Sequence, residues 1–123
     1  MCVSAADGQN KRMASKKKND TAAKIDDNRV TLVYGSPNLK DPKKDGAVRK
    51  VWGGLVPFGK IWRLGSDEAT LLITQKDIEL GGTALAAGAY SLYLQPEADG
   101  SAKLVVNKAV GQWGADPYPA ASE

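Results

Sequence analysis

The run GAYSLYLQPEADGSAKLVVN, residues 88–107, decides the fold class. Tyr90, Leu92 and Leu94 recur at every second position, the period that places side chains on one face of an extended strand. Asp99-Gly100 then interrupts the pattern as a turn, and residues 102–107 resume it, so two antiparallel strands joined by a tight connection are expected. Working upstream, DIELGGTAL sets Gly81-Gly82 between two short extended runs, where the glycines supply the positive φ that a two-residue hairpin requires. ATLLIT, residues 69–74, has β-branched residues and an apolar centre. RVTLVY, residues 29–34, alternates, with Val30, Leu32 and Tyr34 on one side and Arg29, Thr31 and Val33 on the other.

Between these strands, residues 35–50 carry Pro37, Asp41-Pro42 and Asp45-Gly46 as successive breakers and read as a long irregular connection; residues 61–63 read as a short strand. No segment of ten or more residues has a 3.6-residue apolar period. The expected fold is therefore all-β: an antiparallel sandwich or open barrel, with strands at regular spacing. The C-terminal QWGADPYPAASE holds no closing strand, so the sandwich is expected to be incomplete, continuing past Glu123 in a longer form and self-associating through an open sheet edge as it stands.

With 123 residues, 42% of them apolar and 25% charged, the chain has room for one domain: a disordered N-terminal tail over 1–22 and a β domain over 23–123. The net charge is +3, but residues 1–18 hold five Lys/Arg against one acid, which leaves the other 105 residues at −1. The basic character is a property of the tail, and the body lacks the clustered Lys/Arg footprint of a nucleic-acid binder. A single cysteine, Cys2, rules out an intramolecular disulfide within the chain, and the absence of histidine removes the Ser-His and Cys-His nucleophile pairs and the commonest zinc ligand. Asn38, Asp41 and Asp45 lack the alternating spacing and terminal Glu of a calcium loop, and Gly53, Gly54 and Gly59 lack the strand-then-helix setting of a phosphate loop; no metal and no cofactor is expected. No apolar run approaches the roughly 18 residues of a membrane-spanning helix. MCVSAADGQ has a small-residue pattern like the end of an export signal, but lacks the preceding basic and apolar regions, so on these residues alone an arbitrary N-terminus is the favoured reading.

Chemistry concentrates in GGLVPFGKIWRLGSDEAT, residues 53–70. Arg63 offers a fork of donors, and Asp67 and Glu68 follow across a Leu64-Gly65-Ser66 turn, so the favoured reading is a structural corner in which Arg63 clamps Glu68 beside Trp62. The ligand reading makes Trp52 and Trp62 stacking walls, Lys60 and Arg63 anion donors, and Asp67 and Glu68 acceptors for a small molecule, glycan or peptide. Catalysis by Asp67 and Glu68 together is the weakest reading, because adjacent strand residues point to opposite faces. Trp113 reads as packing between sheets.

The run from Trp52 to Thr70, with its Trp-Arg-x-Gly-x-x-Glu-Ala-Thr element, resembles the signature of a bacterial family known as domain of unknown function 2911. RVTLVYGSPNLKDP, LGGTALAAGAYSLYLQP, LVVNK and GQWGADPY extend the resemblance in order. It implies an exported, periplasmic or extracellular β-rich protein whose relatives continue for several more strands. Asp67 stands where the family usually has Asn, which questions a site depending on an amide, and Ala86 stands where Pro often precedes the Ala-Gly of the turn. The function expected is a non-catalytic binding or structural role at the cell envelope, with an extracytoplasmic carboxylate-dependent hydrolase as the alternative.

Overall fold

The computed structural model describes residues 18–41, 43–111 and 123. Among the described residues seven strands are formed: β1 (Lys18–Ile25), β2 (Asn28–Gly35), β3 (Thr70–Thr74), β4 (Ile78–Leu80), β5 (Thr83–Leu85), β6 (Gly88–Pro96) and β7 (Ala102–Asn107). They make an open five-stranded sheet of order β1-β2-β3-β6-β7 and a separate β4-β5 ribbon, and every pairing is antiparallel. The all-β antiparallel class expected from the sequence is the one observed.

Register explains why alternation was a faithful guide. Leu32 pairs with Leu72 and Leu72 with Tyr90, while Leu92 pairs with Val106, so one face of the sheet collects the apolar residues of four strands. Leu72 and Leu92 are buried there together with Leu85 of the small ribbon, and Val30, Leu64, Ile78 and Leu80 pack around them. Each buried leucine contributes about 1.5–3 kcal/mol relative to leaving it in water. The β4-β5 turn is Gly81-Gly82 with both φ values positive, as the sequence required. Where β2 begins, buried Asn28 donates from Nδ2 to Thr74 Oγ1 at 3.0 Å, and its Oδ1 accepts from the Lys76 N–H at 3.0 Å, tying the end of β3 to the neighbouring hairpin.

β1 corrects the expected tail. Residues 18–22, expected in the tail, belong to β1, which pairs with β2 over all eight residues, from Lys18 opposite Gly35 to Ile25 opposite Asn28. Its side chains from Asp20 to Ile25 are exposed, so its order comes from backbone hydrogen bonds to β2, and it carries no apolar stripe that a period-2 reading can detect. The turn is Asp26-Asp27, with φ of 47° and 62°; aspartate is among the few residues that accept this left-handed conformation, and two in succession match a primed hairpin turn. The expected strand over residues 61–63 reduces to a single bridge between Trp62 and Leu94. Trp113 lies outside the described residues.

Candidate functional site: an aromatic cleft

β6 is longer than its partner β3. Beyond Leu92 its free side is taken by Trp62, whose N–H donates to the Leu94 carbonyl at 2.8 Å and whose carbonyl accepts from the Leu94 N–H at 2.8 Å. The Gly59 N–H then reaches the Pro96 carbonyl at 2.7 Å, so residues 59–62 stand where β3 would have continued. Residues 63–69 are the surplus, and they leave the sheet as a loop. It is closed by the Thr70 N–H on the Arg63 carbonyl (3.2 Å) and by Thr70 Oγ1 donating to the Leu64 carbonyl (2.8 Å).

That loop sits on the end of β2. The Ser66 N–H donates to the Gly35 carbonyl at 3.2 Å, and a Cβ on Gly65 would come within 2.8 Å of the same oxygen. Two glycines therefore allow two backbones to touch, the usual reason for glycine at a close approach.

Before Gly59 the chain makes a compact turn. The Gly53 N–H bonds to the Val56 carbonyl (2.9 Å), the Val56 N–H bonds to the Val51 carbonyl (2.8 Å), and Val56 is buried. Gly53 has φ +76°, and a Cβ there would lie 2.7 Å from the Phe58 ring. Glycine at 53 thus lets Phe58 lie against the turn. Trp52 meets Trp62 edge to face, with ring centroids 5.8 Å apart and planes at 89°.

The turn and the β6-β7 connection enclose a cleft of about 390 Å³, walled by Trp52, Phe58, Leu94 and Pro96, with Glu97 and Ser101 at its polar side. Trp52 is 49% exposed and Phe58 43%, a large apolar area left in water on a small domain. Asp99 in the same connection accepts from the Ser101 hydroxyl (2.6 Å) and the Ser101 N–H (2.8 Å), and these bonds, the side-chain one foremost, hold its carboxyl below the ordinary 3.8.

A family model described as Protein of unknown function (DUF2911) matches residues 15–123. The chain belongs to that family. No curated protein and no solved structure matches it.

In this DUF2911 chain the six candidate residues separate into three places. Trp52 lines the cleft and Trp62 backs it; Lys60 is exposed on the run beside β6 and is not part of the lining. Arg63, Asp67 and Glu68 belong to the loop seated on β2 and are also outside the lining. Arg63 Nε donates to the Gly65 carbonyl at 3.3 Å, and Lys24 and Asp27 form a 3.3 Å salt bridge at the exposed β1-β2 turn. Leu64 and Asp67, with φ of 56° and 64°, turn the chain back between them, and Arg63 folds onto the backbone of its own loop.

Asp67 is thereby explained as a backbone residue. Asp shares with Asn an unusual tolerance of the left-handed region, so Asp67 holds the turn without any need for an amide. The loop acids behave similarly: Asp41 Oδ1 accepts from the Lys43 N–H at 2.8 Å, a local turn bond. Among the described residues no three acids or cysteines are close enough to hold a metal ion, and no helix is long and apolar enough to cross a membrane. Sequence reasoning missed Phe58, Leu94, Pro96, Glu97 and Ser101 as cleft residues. Phe58 carried a usable signal, a lone phenylalanine after Pro57 in a glycine-rich turn; the others come from a hairpin some forty residues away and carried none.

Proposed function

We propose that this protein is a non-catalytic binding domain of the cell envelope, exported from the cytoplasm, and that the aromatic cleft receives an apolar or apolar-faced group of its ligand. The observation that carries the reading is the pair of half-exposed rings, Trp52 and Phe58, held over one concavity by Trp62 and by a turn that only glycine at 53 permits. Concave, mostly apolar sites with a few placed polar groups are the usual form of ligand pockets. The envelope location rests on the family resemblance.

Two alternatives have less support. A hydrolase working through paired carboxylates needs both flanking one bond, whereas among the described residues Glu97 is the one carboxylate in the lining, and Asp67 and Glu68 belong to the neighbouring loop. A glycan presents many hydroxyls to be satisfied, and walls made of Trp52, Phe58, Leu94 and Pro96 offer them few partners.

The test is a thermal-shift screen of the full chain against soluble apolar, cationic and saccharide compounds. A ligand that prefers the folded state raises the melting temperature, by an amount set by its concentration over its dissociation constant. Stabilisation by compounds with apolar groups, abolished in Trp52→Ala and Phe58→Ala, is the expected result. Stabilisation by saccharides alone, or shifts unaffected by both substitutions, would refute the reading.

A further inference from the structure

We propose that the cleft's ligand carries a quaternary or methylated ammonium group, with Trp52 and Phe58 as aromatic walls and Glu97 as counter-charge; this deepens the binding reading above and rests on it.

Glu97 is the charged residue of the lining. Its Oε1 accepts from Gln95 Nε2 at 2.8 Å, and its Oε2 lies beside Gly59, 3.9 Å from where a Cβ would be. Among the described residues no Lys or Arg reaches it within ion-pair distance, and no cationic side chain lines the cleft. A carboxylate bordering apolar walls attracts an incoming cation more strongly than one in open water, because the local dielectric is lower.

The rings supply the second half of the site. An organic cation near an aromatic face is held by the ring quadrupole, most strongly at Trp. Methylation decides which cation fits. A primary ammonium carries three N–H donors that must find acceptors, and the lining offers little beyond Glu97 and Ser101. A trimethylammonium group has no donor to satisfy, spreads its charge over a methyl surface, and packs against Leu94 and Pro96 as an apolar body. A neutral apolar group would fill the same space but gain nothing from the Glu97 charge. The chemistry is shared by free small cations and by lipid headgroups.

The experiment compares choline with 3,3-dimethylbutan-1-ol, its uncharged carbon counterpart of the same shape, by titration into the full chain and observation of the Trp52 indole and Phe58 ring resonances. Choline is expected to bind about tenfold more tightly than the alcohol. Glu97→Gln should reduce that preference to the part the rings supply while leaving alcohol binding unchanged, and Phe58→Ala should weaken both ligands. Phosphatidylcholine vesicles added to the choline complex will displace choline if a headgroup is the source and leave it bound if the free cation is; either result upholds the ammonium site. Equal affinity for choline and the alcohol, or a choline preference undiminished by Glu97→Gln, overturns the inference and leaves the apolar cleft standing. No response at Trp52 or Phe58 to either compound overturns both.

Discussion

Gly35→Ala tests whether the 63–69 loop is a structural corner seated on β2. The new Cβ would lie 2.2 Å from the Ser66 carbonyl oxygen and 2.6 Å from Ser66 Oγ, against a backbone that cannot rotate out of the way. Relief requires the loop to lift by about 1 Å, since non-bonded heavy atoms settle near 3.5 Å. Lifting breaks the 3.2 Å Ser66–Gly35 hydrogen bond, worth about 1 kcal/mol, and the overpacking itself costs about 1–3 kcal/mol. Gly35 has no left-handed φ, so alanine recovers about 0.4–1 kcal/mol through the unfolded state. The net expectation is a loss of about 2–3 kcal/mol, a fall in melting temperature on the order of 10–20 °C for a domain of this size. Urea titration followed by tryptophan fluorescence measures it, with Gly81→Asn as the control: Gly81 has φ +57° and open space around it, so Asn should change stability by less than about 0.5 kcal/mol. Gly65→Ala strains the same contact, so the double variant should lose less than the two single losses together. A Gly35→Ala midpoint equal to that of the unsubstituted chain, or strict additivity with Gly65→Ala, would refute the seating of the loop on β2.

Phe58→Ala should cost about 1 kcal/mol, well under the roughly 3–5 kcal/mol of a fully buried phenylalanine, because 43% of the residue is already in water; its melt should also stop responding to cleft ligands. Asp67→Asn and Asp67→Gly should leave chemical denaturation nearly unchanged, whereas Asp67→Val should destabilise by about 1–2 kcal/mol, since a β-branched residue resists φ of 64°. Asn28→Ala strands the Lys76 N–H, while the Thr74 hydroxyl keeps its 2.7 Å bond to the Lys76 carbonyl, and should cost about 1–3 kcal/mol in the same assay. Asp99 has a folded-state pKa below its unfolded value, so its bonds to Ser101 stabilise the fold above that range and are lost as the pH falls through the folded pKa. The stability gap between the unsubstituted chain and Asp99→Ala should therefore narrow as the pH is lowered below 3.8, and a gap independent of pH would contradict the assignment.

Sequence by itself determined the strand class and most of the strands, because the signals are local. The alternation in residues 29–34, the β-branched run before Thr74, the Gly81-Gly82 turn and the Asp99-Gly100 turn each act within a few residues, and each element formed where its pattern stood. β1 escaped because its order is borrowed from the backbone of β2, and exposed side chains leave no pattern for such pairing. The tryptophan- and arginine-bearing stretch was recognisable as special, but only tertiary structure divided it. Pairing of Trp62 with Leu94 drove residues 63–69 out onto Gly35 as a corner, and the same pairing brought Trp52 and Phe58 against the β6-β7 connection as a cleft. Arg63 and Glu68, five residues apart, suggest a partnership in sequence; the structure shows Arg63 Nε on the Gly65 carbonyl, in a loop turned by left-handed torsions at Leu64 and Asp67. Glu97 had no signal at all until sheet register carried it across some forty residues of chain to the two rings, for contacts of that range are decided by which strands pair and where.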